Sequence, residues 1–215
     1  MCNDRNSMPN NYYCFARKDL IDLVPSGFKT VLDVGCGDGS NTTYLRERGA
    51  THVVGIELSC KHGKTAAEKM DEVFVGSVEG DMPGWLLNRE FDLVICGDII
   101  EHLVDPWKTL ERLRNVISPF GYLLASIPNI RHYSVLKDLV IGGKFHYVSA
   151  GLLDRTHLRF FTKKEIVELF EDAGYKIISW SHSAISERDS LISRMTFGLF
   201  DGFLAYQYYI LAKKK

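Results

Sequence analysis

In "VLDVGCGDGS", Val31 to Ser40, an apolar run breaks into three glycines, Gly35, Gly37 and Gly39, set at alternate positions. A strand that ends in glycines and enters a helix lets the backbone approach a ligand closely, because no Cβ intervenes and positive φ costs glycine little. That much says only that a nucleotide-like cofactor is held here. The dinucleotide fingerprint G-x-G-x-x-G would place its third glycine where Ser40 stands, which weakens a nicotinamide reading. Asp33, on the strand just before the turn, is a poor neighbour for a pyrophosphate and a suitable one for a cation. Glu57 ends the next apolar run, "HVVGIE", where a carboxylate accepts hydrogen bonds from both hydroxyls of a ribose.

Beyond this motif, apolar runs bounded by turn residues alternate with helix-period stretches, the pattern of an α/β fold around a mainly parallel sheet. Strands are expected at 30–34, 52–57, 72–76, 91–97 and 121–127, with a sixth in "YKIISWSH" and a seventh in "AYQYYILAK". Helices are expected over Ser40 to Arg48, Ser59 to Met70 and Pro106 to Ile117, the last capped by Asp105 with Pro106 in its first turn. Another is expected before the first strand, around Phe15 to Leu23, and one around Ser190 to Phe197 before the last. "TKKE" carries the capping-box spacing, Thr162 to Glu165, and opens a helix ending near Gly174. Between Ile127 and Thr162 the rhythm breaks into an irregular stretch with a short helix near Tyr133 to Val140 and a Gly142-Gly143 pair. A segment of that length inside a compact domain is usually functional or mobile.

The chain has 215 residues, enough for one α/β domain with a sizeable core and short for two. With 26 Lys+Arg against 27 Asp+Glu, nothing in the bulk charge calls for a polyanionic partner, so nucleic acid is not expected. The five cysteines (Cys2, Cys14, Cys36, Cys60 and Cys96) include no C-x-x-C pair and read as reduced thiols, with Cys36 a small filler rather than a nucleophile. The polar N-terminus lacks the apolar core of a signal peptide, and no apolar run is long enough for a membrane span. The expectation is a cytoplasmic protein without membrane insertion, for which a homodimer is compatible.

"VLDVGCGDGS", "VGIELS", "FDLVICGDIIEHLVDP" and "GYLLASIPN" together resemble the successive motifs of the class I S-adenosylmethionine-dependent methyltransferases, over roughly the first two-thirds of the chain. The resemblance implies a Rossmann-like, doubly wound sheet of seven strands, mainly parallel with the last antiparallel. It implies that Gly35, Cys36, Gly37 and Gly39 form the loop under the methionine part of S-adenosylmethionine, that Asp33 holds its ammonium side, and that Glu57 binds its ribose. Many members carry an aspartate after the third strand to meet the adenine, and here Ser77, Val78 and Glu79 stand at that place. Asp98, after the fourth strand, faces the methionine end or the acceptor in the family pattern. The product would be S-adenosylhomocysteine.

A second resemblance lies in "DRTHLRFFT", which is similar to an element following the fifth strand in a subgroup of these enzymes associated with sugar, cell-surface polysaccharide and natural-product pathways. The segment at about 129–161 leaves from a carboxyl end of the sheet, where ligands bind in this fold, and is expected to act as a substrate-side lid. Asn129, Arg131 and Tyr133 at its start, and Arg155 and Arg159 at its return, are the candidate acceptor-binding residues; Asp154, Arg155 and Arg159 alternatively form an ion-pair network. Methyl transfer has to align a nucleophile with the S–CH3 bond and remove its proton, and neither task requires a metal. An imidazole suits the second task at neutral pH, so His157 and His132 are the candidate bases, with His102 third and Asp98 a further catalytic candidate.

The expected function is therefore methyl transfer from S-adenosylmethionine to a hydroxyl or amine of a small molecule, such as a sugar or nucleotide sugar. An NAD-dependent oxidoreductase and a non-catalytic S-adenosylmethionine-binding protein are the alternatives. A nucleic-acid acceptor is further disfavoured because "GDII" replaces an N/D-P-P-Y/F motif after the fourth strand.

Overall fold

A computed structural model describes residues 16–183 and 193–215. Seven strands form one sheet: β1 (Thr30–Val34), β2 (His52–Glu57), β3 (Glu72–Val75), β4 (Phe91–Gly97), β5 (Ile117–Pro128), β6 (Tyr175–His182) and β7 (Gln207–Lys214). They run in the order β3-β2-β1-β4-β5-β7-β6, with β7 antiparallel to both its neighbours and the others parallel. This is the doubly wound topology expected from the sequence. Alternate residues of each central strand feed opposite cores: Leu32, Val34, Val54 and Ile56 on one face, Val31, Val53, Leu93 and Ile95 on the other. Burial on both faces explains why these strands read as unbroken apolar runs. Truncating one such side chain, as in Leu32→Ala, is expected to cost about 2–5 kcal/mol.

Helices α1 (Lys18–Ile21), α2 (Asn41–Glu47), α3 (Cys60–Ala66), α4 (Gly84–Leu87), α5 (Pro106–Val116), α6 (Tyr133–Val140), α7 (Lys163–Asp172) and α8 (Asp201–Leu204) connect the strands, with a 3-10 turn at Ile100–His102. Asp105 caps α5 by accepting from the Lys108 N–H at 3.0 Å, and the Thr162/Glu165 capping box starts α7. Three local differences from the sequence expectation have physical causes. β5 begins at Ile117, directly after α5, because Ile117 pairs with Phe91 across a register shift. α3 closes at Ala66, before Met70, whose side chain packs near Gly39 and Gly55. α4 and α8 are four-residue pieces, too short to show a helical period. The helix expected around 190–197 falls partly outside the described residues. Among the cysteines, Cys36 and Cys96 are free and buried, whereas Cys60 is disulfide-bonded, contrary to the reduced-thiol reading.

The strand order reverses between β1 and β4, so the crevice of this fold opens outside their carboxyl ends. Val34 is in register with both Ile56 and Cys96, which brings the glycine loop, Glu57 and Asp98 to one edge. No helix among the described residues is long and apolar enough to cross a membrane.

Candidate functional site

The loop after β1 is built from backbone. Gly35, Gly37 and Gly39 all have left-handed φ, +70°, +56° and +75°, which a Cβ-bearing residue adopts only with strain. The N–H groups of Gly35 and Cys36 donate to the Ile56 carbonyl at 2.7 and 3.1 Å, pinning the loop to the neighbouring strand. A Cβ at Gly35 would overlap Ile99 Cδ1, so the residue after Asp98 roofs the loop. The Cys36 thiol is pushed up by burial and packs toward Gly55, which fits a filler.

Two carboxyls stand beside this loop. Glu57 accepts from the Gly37 N–H at 2.9 Å through Oε2 and from the Ser59 N–H at 2.7 Å through Oε1, and burial raises its pKa. Asp33 is buried, accepts from Asn41 Nδ2 at 3.0 Å, and has its pKa pushed up to about 7 by burial, with the Glu57 charge adding to the shift. Both carboxyls are thus held where a nearby cation would lower their cost. The 77–79 segment is tied inward. Ser77 Oγ accepts from the Glu79 N–H at 3.1 Å, Val78 is buried in the core, and Glu79 accepts from the Val104 and Asp105 N–H groups at 3.1 and 2.7 Å.

Across the crevice, Asp98 sits at φ +56°, a left-handed conformation rare for a non-glycine residue. Its N–H donates to Ser126 Oγ at 2.9 Å, the Ser126 hydroxyl donates to Oδ1 at 3.0 Å, and Gln207 Nε2 and the Arg17 guanidinium also donate to the carboxylate. The Arg17 N–H in turn donates to Asn41 Oδ1 at 2.9 Å. Asn41, Arg17 and Asp98 therefore link the donor-side carboxyl Asp33 to the opposite wall.

That wall bounds a cavity of about 290 Å³ lined by Asp98, Glu101, His102, Pro128, Leu152, Asp154, His157, Tyr206 and Gln207, among others. The Nδ1 atoms of His102 and His157 lie 3.1 Å from the carbonyl oxygens of Thr156 and Leu152. A carbonyl only accepts, so each Nδ1 carries a proton, and in the neutral form of such a ring the lone pair lies on Nε2. The rings meet edge to face with centroids 4.8 Å apart. Burial lowers the His157 pKa and the neighbouring His102 lowers it further, so His157 is neutral at pH 7. Glu101 is 1% exposed, and its Oε2 has no hydrogen-bond partner among the described residues. Burial, then the charge of Asp98, raises its pKa well above the usual carboxylate range.

The remaining candidates lie apart from this cavity or serve to build it. Asn129 is fully buried, with its amide donating to the Gly202 and Ala205 carbonyls and its oxygen accepting from the Arg131 N–H. Arg131 stacks over Phe203, 4.5 Å from its centroid. His132 caps α6 and contacts Tyr133 and Tyr206, and neither it nor Tyr133 lines the cavity. Arg155 is exposed, and Arg159 donates to the Val104 carbonyl and lies over Trp107. Asp154 accepts from the N–H and hydroxyl of Thr156, and no ion pair joins it to either arginine among the described residues. The segment begins and ends together: Asn129 bridges Phe161, and the Ile130 N–H donates to the Phe161 carbonyl at 3.0 Å.

Sequence reasoning did not pick out Glu101, Arg17, Ser126 or Gln207. For Glu101 the signal was the D-x-x-E-H spacing of "GDIIEH", which the 3-10 turn folds toward the cavity. The other three reach Asp98 only through the tertiary fold.

A family model for a methyltransferase domain matches residues 10–180. The ubiquinone biosynthesis O-methyltransferase of Dechloromonas aromatica (strain RCB) is 31% identical over 190 residues, covering 81% of this chain and 78% of that protein. Among solved structures, a SAM dependent methyltransferase from Archaeoglobus fulgidus is similar with a TM-score of 0.64 at 20% identity, over 92% of this chain and 91% of that one. The magnesium protoporphyrin IX methyltransferase of Synechocystis PCC 6803, solved with bound SAH, gives a TM-score of 0.59 at 21% identity, over 91% and 78% of the two chains.

Proposed function

Because the chain belongs to the methyltransferase-domain family, an S-adenosylmethionine-dependent group of enzymes, we propose that it methylates a hydroxyl of a small molecule bound in the cavity beside Asp98 and His157. Family membership replaces the dinucleotide-oxidoreductase reading and that of a binding protein without activity. The observation that carries the proposal is the neutral His157 ring, which offers its Nε2 lone pair at neutral pH in a cavity lined also by Asp98, whose neighbour Ile99 covers Gly35 of the loop.

Bound S-adenosylmethionine supplies a methyl group on a sulfonium sulfur and leaves as S-adenosylhomocysteine. Gly35, Cys36, Gly37 and Gly39 form the floor for its methionine part, Glu57 accepts from the ribose hydroxyls, and Asp33 faces the ammonium side. The 77–79 segment borders the adenine through backbone and Ser77, since Glu79 is occupied by Val104 and Asp105. Asp98 orients the methionine end or the acceptor. In the chain by itself the acceptor's proton passes to His157, and its oxygen is left aligned with the methyl carbon. The 129–161 segment acts as the lid, and Arg155 and Tyr133 at its exposed rim meet the outer part of the acceptor.

Two acceptor classes are worth separating. The relative named for ubiquinone biosynthesis favours a hydroxylated ring, and the resemblance of "DRTHLRFFT" favours a sugar or nucleotide sugar. The experiment combines thermal stabilisation by S-adenosylhomocysteine, with NAD in parallel, and transfer of labelled methyl to catechols, sugar nucleotides and amines. Stabilisation by S-adenosylhomocysteine with label on a hydroxyl compound supports the proposal. Label on amines alone overturns the hydroxyl assignment.

A further inference from the structure

The Glu101, His102 and His157 side chains form a group that the proposed proton transfer leaves half explained. One ligating atom of each lies within 4.8 Å of those of the other two. His102 comes from the turn after β4 and His157 from the far end of the 129–161 segment. Both rings spend their Nδ1–H on a backbone carbonyl, the arrangement by which metal-binding histidines fix their tautomer and present Nε2 to an ion. Glu101 is almost fully buried, yet Oε2 finds no partner among the described residues. A buried carboxylate oxygen without a donor is costly, and a cation is one of the few things that repays it. Asp98 and Asp154 line the same cavity and add negative charge around the point where the three side chains converge.

We propose that Glu101, His102 and His157 bind a divalent transition-metal ion in the cavity. Two imidazoles and one carboxylate suit Zn2+, Mn2+, Fe2+ or Co2+ better than Mg2+ or Ca2+, which prefer oxygen-only shells. Ligand bonds of about 2.1 Å require the three side chains to close by roughly 1 Å, within the reach of small χ rotations. Three protein ligands leave positions open to the cavity, where adjacent hydroxyls of an acceptor can chelate. This rests on the reading of the cavity as the acceptor site and sharpens it. A hydroxyl on the ion ionises more easily, its O–H electron pair staying on oxygen and its proton leaving to solvent, so His157 serves as a ligand when the ion is present. The ion also ties the 129–161 segment to the β4 turn, adding to the bonds from the Leu158 and Arg159 N–H groups to the Glu101 carbonyl at 2.8 and 3.0 Å.

The test uses the full chain stripped with chelator and dialysed against Zn2+, Mn2+ or Co2+, with ion content and the Co2+ visible spectrum as readouts. One ion per chain is expected, with an absorption spectrum typical of mixed nitrogen and oxygen ligands. Glu101→Gln and His157→Ala should each weaken binding at least tenfold, while His182→Ala leaves it unchanged. S-adenosylhomocysteine stabilisation of each variant reports that the fold is intact. No uptake by the wild-type chain, or equal uptake by E101Q and H157A, overturns the assignment. Because uptake is read without acceptor, the two readings fail differently. An ion held by a chain that methylates no hydroxyl compound leaves the metal site standing and removes the acceptor reading. Methylation indifferent to chelation removes the metal and leaves the acceptor reading.

Discussion

The glycine loop and the 129–161 segment leave from the carboxyl ends of two parallel strands, β1 and β5, and are held by different means. The loop is fixed through its backbone: glycines in left-handed conformation, the Gly35 and Cys36 N–H groups on the Ile56 carbonyl, and the Gly37 N–H on the Glu57 carboxylate. The segment has backbone bonds at its two ends, Ile130 to Phe161 and Leu158 and Arg159 to Glu101, and adds side chains reaching carbonyls, His102 to Thr156, His157 to Leu152 and Asn129 to Gly202 and Ala205, while residues 137–151 are exposed throughout. A donor that is the same for every member of the family can be met by peptide groups, which vary little with sequence. An acceptor particular to one enzyme has to be met by side chains, which vary freely.

That contrast is open to attack from both sides. The largest effect is expected at the cavity: His157→Ala should lower kcat by about 10²–10⁴-fold, the usual worth of a positioned base, while S-adenosylhomocysteine affinity is unchanged. Parallel losses in both would mean that the two walls are not independent. Glu57→Ala should weaken donor binding by about 1–3 kcal/mol, roughly 5- to 150-fold, because it removes a charged acceptor and frees the Gly37 and Ser59 N–H groups. Calorimetric titration with S-adenosylhomocysteine measures this, and an unchanged affinity would take Glu57 out of the donor site.

A subtler effect is expected at Asp33. Its carboxyl stays protonated in the folded chain up to about pH 7 but ionises near 3.8 when unfolded, so folding takes up a proton between these values. Stability contributed by this group therefore falls as pH rises from about 4 to about 7. Asp33→Asn should flatten that part of the Tm–pH profile. Donor binding places a cation nearby, favours the ionised form and releases a proton, so wild-type affinity for S-adenosylmethionine should rise with pH toward 7 and D33N should lose the trend. The smallest effect is expected at Arg131, exposed at the mouth of the segment and stacked on Phe203. Arg131→Ala should change stability and kcat/KM by about 0.5 kcal/mol or less in urea titrations and steady-state assays. A loss near that of H157A would bring Arg131 into the acceptor site.

Legibility in the sequence follows the same division. The sheet, the glycine turn, Glu57 and the caps at Asp105 and Thr162 could be read because each is a local pattern: an apolar run, a spacing of glycines, a capping residue beside a helix period. Asn129 looked like an acceptor ligand because a polar residue after a strand end carries no sign of whether its amide will be used up by carbonyls more than 70 residues away. The alternative of an ion-pair network joining Asp154, Arg155 and Arg159 is not met among the described residues for a related reason. Neighbours in sequence on an irregular segment need not point the same way, and Asp154 satisfied itself on Thr156. Arg17 and Gln207 are almost the whole chain apart, yet Arg17 donates to Gln207 Oε1 at 3.2 Å and both donate to Asp98, so no window along the sequence contains them both.

The bridge between Asn129 and Phe161 has a consequence for how such a chain can change. A segment whose two ends meet at one point on the sheet is a cassette: residues inserted, deleted or exchanged between those ends need not alter the distance the flanking strand and helix have to span. New acceptors can then be tried by swapping this stretch alone, while the donor loop and both cores are inherited unchanged.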